Sequence, residues 1–233
     1  MTVRIKVWDL PLRVFHWILV AAVVSAFVTG QLGGSLSDWH GRIGLLILGL
    51  LIFRLIWGVA GSHYARFANL PVTPAELVAH AKGQWQGYGH NPLGSISVMV
   101  LLGLLFVQVG TGLFANDDIA FQGPLFNLVD KDLSDKLSGL HALVFNFLVG
   151  MVALHLVAIG FYFFIKKTNL VKPMLTGEKE VKKSEELPST RSGGIRFFIA
   201  VVISGVLVWV IQSDFFLEHL QPYQKNLPAV QDW

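Results

Sequence analysis

Long uninterrupted apolar runs, separated by short polar stretches, dominate this chain, and neither a two-residue nor a 3.6-residue alternation organises it. Runs of this kind suit helices that are apolar on every side. Five of them approach or reach the length needed to cross about 30 Å of hydrocarbon at about 1.5 Å per residue. They cover roughly residues 14–31, 39–59, 92–114, 138–165 and 196–213. The first, third and fourth carry no formal charge, whereas the second contains Arg42 and Arg54 and depends on its neighbours for its assignment. Asn91 followed by Pro92 opens the third as a helix cap and first-turn residue. The uncharged run Val14–Ser37 exceeds a signal-peptide core and lacks a clear small-x-small cleavage site, so the first helix is expected to be retained.

The polar intervals set a direction. With the N-terminus placed in the cytoplasm, fourteen of the 18 Lys and Arg residues fall inside, leaving Arg42, Lys131, Lys136 and Lys225 outside. The expected protein is therefore a multi-pass protein of the bacterial inner membrane, N-terminus cytoplasmic and C-terminus periplasmic. The interval Thr176–Gly194 is polar and of mixed charge, ending in Ser-Thr-Arg-Ser-Gly-Gly. It reads as a linker. The domain reading is a transmembrane bundle over 1–170, a cytoplasmic linker over 171–195 and a C-terminal helix with its outer tail over 196–233. The fold class is an all-α membrane protein, a four-helix bundle plus a fifth helix tethered to it.

Composition narrows the chemistry. Hydrophobic residues make up 53% of the chain and charged ones 14%, which suits a membrane protein, and the chain has no cysteine. That excludes covalent c-type haem, cysteine-ligated iron–sulfur clusters and disulfides on this chain. Histidine is then the strong candidate ligand, and four of the 8 histidines fall within spans: His16, His40, His141 and His155. An ionisable group inside a membrane needs a partner or a task. His141 and His155 stand fourteen residues apart, about 21 Å along one helix and within about 40° of one face. By topology His40 lies at the level of His141, near the outer surface, and His16 at the level of His155. Two imidazole pairs stacked across the bilayer suit two b-type haems, each wanting an axial ligand on either side. A single membrane histidine is as readily a packing or proton-relay residue. Four that pair by depth are harder to read that way, and no Asp or Glu lies inside a span to support a proton transporter or a di-metal site.

Several stretches resemble a known family: Val7-Trp8-Asp9-Leu10-Pro11-Leu12-Arg13-Val14-Phe15-His16-Trp17, His40-Gly41-Arg42-Ile43-Gly44, Arg54-Leu55-Ile56-Trp57-Gly58, Tyr64-Ala65-Arg66-Phe67, Gly89-His90-Asn91-Pro92-Leu93-Gly94 and the His141/His155 helix. Residues from about 6 to 170 resemble the bacterial cytochrome b561 family, which includes the b-type cytochrome subunits of membrane-bound nickel–iron hydrogenases. The resemblance places haem ligands on His16, His40, His141 and His155. It also implies quinone chemistry, with ubiquinone or menaquinone, and a membrane-bound electron-transfer partner. It stops before residues 177–233.

The resemblance adds readings for other residues. Arg42 and Arg54 are candidates for pairing with the carboxylates of the haem at each level; interfacial anchoring for Arg42 and snorkelling for Arg54 are the alternatives. His90, with Tyr64, Arg66 and Trp85, is a candidate quinone site, against the plainer reading of a loop that caps the bundle. Small residues at Gly44, Gly49, Gly103, Gly110, Gly112 and Gly150 suit both a flat macrocycle and close helix packing. His63, His80 and His219 read as loop or interfacial residues. The function expected is a di-haem electron relay between the quinone pool and a periplasmic c-type cytochrome or hydrogenase-like subunit, with membrane lipid as surroundings and no nucleic-acid partner. The alternatives are a stand-alone superoxide:quinone oxidoreductase and a mainly anchoring subunit. The loop between the third and fourth spans bears Asp117, Asp118, Asp130, Asp132 and Asp135 against Lys131 and Lys136, a net −3. Such a rim would repel superoxide and attract a basic partner.

Overall fold

The computed structural model describes residues 2–119, 121–182 and 193–213. Five of its helices are long and apolar enough to cross a membrane. Local chemistry sets their ends. Helix α1 (Leu10–Leu32) begins where the Asp9 carboxylate accepts a hydrogen bond from the Leu12 amide at 2.8 Å, with Pro11 in the first turn, and stops at Gly33, whose φ of 59° turns the chain out of the helix. Helix α2 (Ser37–Ala60) follows a single 3-10 turn. Helix α3 (Pro74–Ala81) carries a capping box between Thr73 and Glu76. Helix α4 (Pro92–Gly112) is capped by Asn91 as its dipeptide suggests, the side chain accepting from the Gly94 amide at 2.7 Å.

Helix α5 (Lys131–Phe164) is longer than its hydrophobic run. It starts seven residues before the expected span because Asp130 caps the Leu133 amide at 2.8 Å. Its 34 residues reach about 51 Å, well beyond a hydrocarbon core. Hydropathy misses that charged first turn, since capping and not apolarity decides where a helix begins. A short helix α6 (Val171–Thr176) leads towards helix α7 (Gly194–Gln212), the fifth span.

Helix α2 is central, packing against α1, α4 and α7, while α4 and α5 form a second hairpin. Leu51 and Trp57 of α2 are completely buried, whereas Val59 at 76% and Trp209 at 68% exposure face outward, as expected where lipid is the solvent. Helix α7 is more than a tethered addition. Phe197 sets its ring edge on Phe53 (5.9 Å between ring centroids) and Trp57 (6.1 Å), and Ala200 and Ser204 are buried. Phe53 lies near Arg42's side of α2 and pairs with the start of α7, so α7 runs antiparallel to α2, its end reaching Gln212 beside Arg42.

The interval after α5 also departs from a plain linker. Strand β1 (Thr2–Lys6) pairs antiparallel with β2 (Glu178–Lys182), Arg4 opposite Glu180 and Lys6 opposite Glu178. Opposite charges across the ladder favour this register. The Gly177 carbonyl accepts from the Val7 and Trp8 amides, Arg13 donates to the Leu175 carbonyl, and Lys179 donates to the Tyr88 carbonyl at 3.2 Å. Burial lowers the Lys179 ammonium's pKa from the ordinary lysine value. The segment therefore clasps the entry to α1. Its continuation over 183–192, part of the expected linker, and the tail after Ser213, with His219, lie outside the described residues.

Asp9 joins these levels. Besides capping α1, its second oxygen accepts from the Trp57 indole at 3.0 Å, tying the start of α1 to the end of α2. Asp9→Ala removes a cap, about 1 kcal/mol, and leaves a buried indole N–H unpaired, about 1–3 kcal/mol more. Thermal unfolding of the detergent-solubilised protein should show a clear loss of stability for Asp9→Ala and only partial recovery for Asp9→Asn, whose single carbonyl oxygen can accept from the Leu12 amide or the Trp57 indole but not from both. Equal melting of Asp9→Ala and the wild type would refute the tie.

Candidate haem site

The α1–α2 turn and the start of α5 bring His40 and His141 together. Their ring centroids are 6.0 Å apart at an interplanar angle of 84°. Each ring is held from behind: His40 Nδ1 donates to the Ala26 carbonyl at 2.9 Å, and His141 Nδ1 donates to the Gln108 carbonyl at 2.8 Å. A nitrogen facing a carbonyl must carry the proton, which leaves the Nε2 lone pair of each neutral ring as the one that would ligate a metal. Two imidazoles bound on opposite sides of one metal through bonds of about 2 Å have centres about 6 Å apart, so the pair fits a bis-histidine iron. His141 Nε2 accepts from the Gln108 side-chain amide at 2.9 Å, an interaction that an iron ligand has to replace.

Two glycines make room for these rings. A Cβ on Gly30 would stand 2.9 Å from His40 Nδ1, and one on Gly112 would stand 3.0 Å from His141 Cε1. By contrast a Cβ on Gly44, Gly103, Gly110 or Gly150 meets nothing within 4 Å, and one on Gly49 faces Val208 of α7. Among the six glycines read as small contact positions, only Gly112 seats an imidazole.

At the other level, His16 of α1 and His155 of α5 lie within electrostatic range of one another. His16 Nδ1 is shielded from solvent without a hydrogen-bond partner among the described residues, and its ring meets the edge of Trp17 at 5.1 Å. No group of three or more His, Cys, Asp or Glu able to hold a metal occurs among the described residues. The donor set at this level is thus a pair of imidazoles without carboxylates, which suits a haem and not a di-metal centre.

The flanking residues separate into distinct neighbourhoods. Arg42 stands two residues beyond His40, about 200° around the helix, and lines the α2–α7 side with its guanidinium 5.3 Å from the Trp39 ring centre. Arg54 is buried, donates to the Ala65 carbonyl at 3.1 Å and lies 4.3 Å from the Phe67 ring centre. His90 stacks at a tilt on Trp8, 4.5 Å between centroids, and its shielded Nδ1 has no partner among the described residues. Burial, reinforced by the Arg54 charge and by His16 and His155, pushes the His90 imidazole down to about 4. It is therefore neutral at pH 7 and stands beside the His16/His155 level. Tyr64 joins it by packing against Gly89. Arg66 instead donates to the Gly61 carbonyl at 2.9 Å, and Trp85 packs over Gly87 with its edge towards His80.

Some contributors are absent from the sequence reading. Gln108 is a polar amide near the end of an uncharged span, four residues before Gly112, and its cost there is a signal. Gly30 carries no signal without knowledge of its neighbour. His80 is not simply a loop residue: its Nε2 lies 3.3 Å from the Tyr162 hydroxyl, which accepts from the Asn91 amide at 2.7 Å, joining α3, α4 and α5.

Comparison with known proteins bears on the family. The family model described as prokaryotic cytochrome b561 matches residues 7–177. A probable Ni/Fe-hydrogenase B-type cytochrome subunit of Azotobacter chroococcum is 23% identical over 83% of this chain and 89% of its own length. One of Bradyrhizobium diazoefficiens is 22% identical over 76% and 87%, and one of Azotobacter vinelandii is 26% identical over 48% and 60%. No solved structure matches the chain. The match over most of the chain, on a bundle that holds paired intramembrane histidines, shows that this protein belongs to the prokaryotic cytochrome b561 family, membrane b-type cytochromes of electron transfer.

Proposed function

We propose that the chain holds two b haems, one on His40 and His141 and one on His16 and His155, and relays electrons across the inner membrane. The N-terminus is cytoplasmic in this reading. The carrying observation is the His40–His141 pair, 6.0 Å apart with both outer nitrogens committed to backbone carbonyls. Bound there, haem supplies a one-electron iron couple. The chain's own part is to fix the rings, keep water out with apolar helices and pair the carboxylates of the macrocycle, a role Arg54 suits at the inner level. His90 is a neutral hydrogen-bonding group with an aromatic flank from Trp8 and Tyr64 nearby, which supports a ubiquinone or menaquinone site on that side. Arg66 and Trp85, turned towards Gly61 and Gly87, would shape its wall. The curated relatives are named as hydrogenase cytochrome subunits, which supports a hydrogenase-like redox subunit at the outer face; a c-type cytochrome has the same need for an acidic rim.

That rim is organised. Lys131 pairs with Asp118 and with Asp135 (2.9 Å), Asp130 caps α5, and Asp117 accepts from the Ile119 and Phe121 amides. Pairing leaves the net charge unchanged, so the face remains negative.

Three outcomes test the proposal. Pyridine-haemochrome assay should find two haems per wild-type chain, and His155→Ala should lose one of them; one haem in the wild type would refute the assignment. Gly30→Val should displace His40 and lose the other haem, while Gly103→Ala should lose neither. Equal haem content in these two glycine variants would remove the argument from ring seating. Finally, electron exchange with a basic cytochrome c should slow as ionic strength rises towards physiological values, where the Debye length is about 8 Å. Asp118→Asn with Asp132→Asn should flatten that dependence without uncapping α5. Salt-independent exchange together with rapid superoxide consumption would favour the superoxide:quinone oxidoreductase instead.

A further inference from the structure

Helix α2 divides the molecule. Its His40 face looks towards α1 and α5, and the face about 180° away, at Gly49, packs against α7. Between α2 and α7 lies a groove of about 490 Å3, open to the lipid side and lined by Arg42, Gly49 and Phe53 on one wall and Gly205, Trp209 and Gln212 on the other. Its polarity is ordered along its length. Arg42 and Gln212 stand at one end, and the remaining lining is apolar apart from Ser204, whose hydroxyl donates to the Ala200 carbonyl at 2.7 Å. From Arg42 to Phe53 is eleven residues, about 16 Å along a helix and close to the depth of one leaflet.

We propose that this groove binds one anionic phospholipid of the leaflet that contains the α1–α2 turn, its phosphate on Arg42 and Gln212 and an acyl chain along Gly49 and Gly205. Charge selects the occupant. No carboxylate among the described residues lies within ion-pair distance of Arg42, and a guanidinium with an adjacent amide offers the donors a phosphate diester accepts. Trp209 lines the groove and the Trp39 ring centre lies 5.3 Å from the Arg42 guanidinium, indoles of the kind favoured near headgroups. A quinone fits less well, because α2 itself separates the groove from His40 and the polar end offers a cation suited to a full negative charge. The site also gives Arg42 a task on the side of α2 where the helix places it.

Native mass spectrometry of the full haem-loaded chain, exchanged into mixed phosphatidylglycerol and phosphatidylcholine of the same acyl composition, tests the assignment. The wild type should retain one phosphatidylglycerol in preference to phosphatidylcholine through delipidation. Arg42→Gln should lose about fivefold of that preference, the scale of one cation's attraction to an anionic headgroup. Gly205→Leu should lose retention of either lipid with haem absorbance unchanged, because a Cβ there meets nothing within 4 Å and the longer side chain enters the groove. Equal retention of the two lipids by the wild type, or an unchanged preference in Arg42→Gln, would overturn the proposal. So would phosphatidylglycerol retention that emerges only in Asp214→Asn, which would assign the groove to the chain's own segment after Gln212, or a co-purifying quinone held there in place of lipid.

Discussion

A lipid-embedded imidazole is fixed in place when one ring nitrogen has a backbone partner, and the packing around His40 and His141 is arranged around that constraint. At the level of the α1–α2 turn the outer nitrogens are given to the carbonyls of Ala26 and Gln108, one on each helix hairpin. Those carbonyls remain in their own helices' ladders, so the rings are fixed without breaking either helix. Fixing Nδ1 sets the tautomer, and the tautomer sets which lone pair faces the space between the hairpins. Glycine at 30 and 112 follows from the same constraint, since any larger residue would push a ring off its carbonyl.

The remaining architecture supports the two hairpins. Helix α2 supplies His40 on one face and seats α7 on the other, so the fifth helix adds apolar contact without entering the histidine pockets. At the opposite end Asp9 holds the start of α1 to Trp57, while the β1–β2 ribbon and the Gly177 carbonyl hold the chain that precedes it. His16 lies less than two turns from Asp9, so the position of this candidate ligand depends on a cap and an indole that lie outside the apolar run. His90 stands on Trp8 in the same region, which brings the candidate quinone residue and the inner pair under one set of supports.

Much of this was legible in the sequence because the membrane imposes simple rules. Apolar length identified five spans, and the fourteen-residue interval between His141 and His155 placed two candidate ligands on one face at two depths. What escaped depends on pairings that no local pattern carries. The β1 segment is five residues long and its partner lies more than 170 residues away. The role of Gly30 depends on where His40 points, and that of Asp9 on an indole in another helix. For Arg42 the sequence left a haem carboxylate partner and interfacial anchoring open, and the structure places its side chain on the α2–α7 side, about 200° around the helix from His40. The acidic loop is legible in the sequence only as a net charge, whereas the structure adds the caps and the pairs with Lys131 that organise most of its aspartates.

The central claim is that two separate imidazole pairs each hold a haem iron. Low-temperature electron paramagnetic resonance of the purified, air-oxidised protein addresses it directly, because bis-imidazole ferric iron is low-spin and two environments give two signals. The account expects two low-spin ferric signals of equal integrated intensity, with one of them absent in His40→Ala. A single low-spin signal from the wild type, or a dominant high-spin signal, would contradict it.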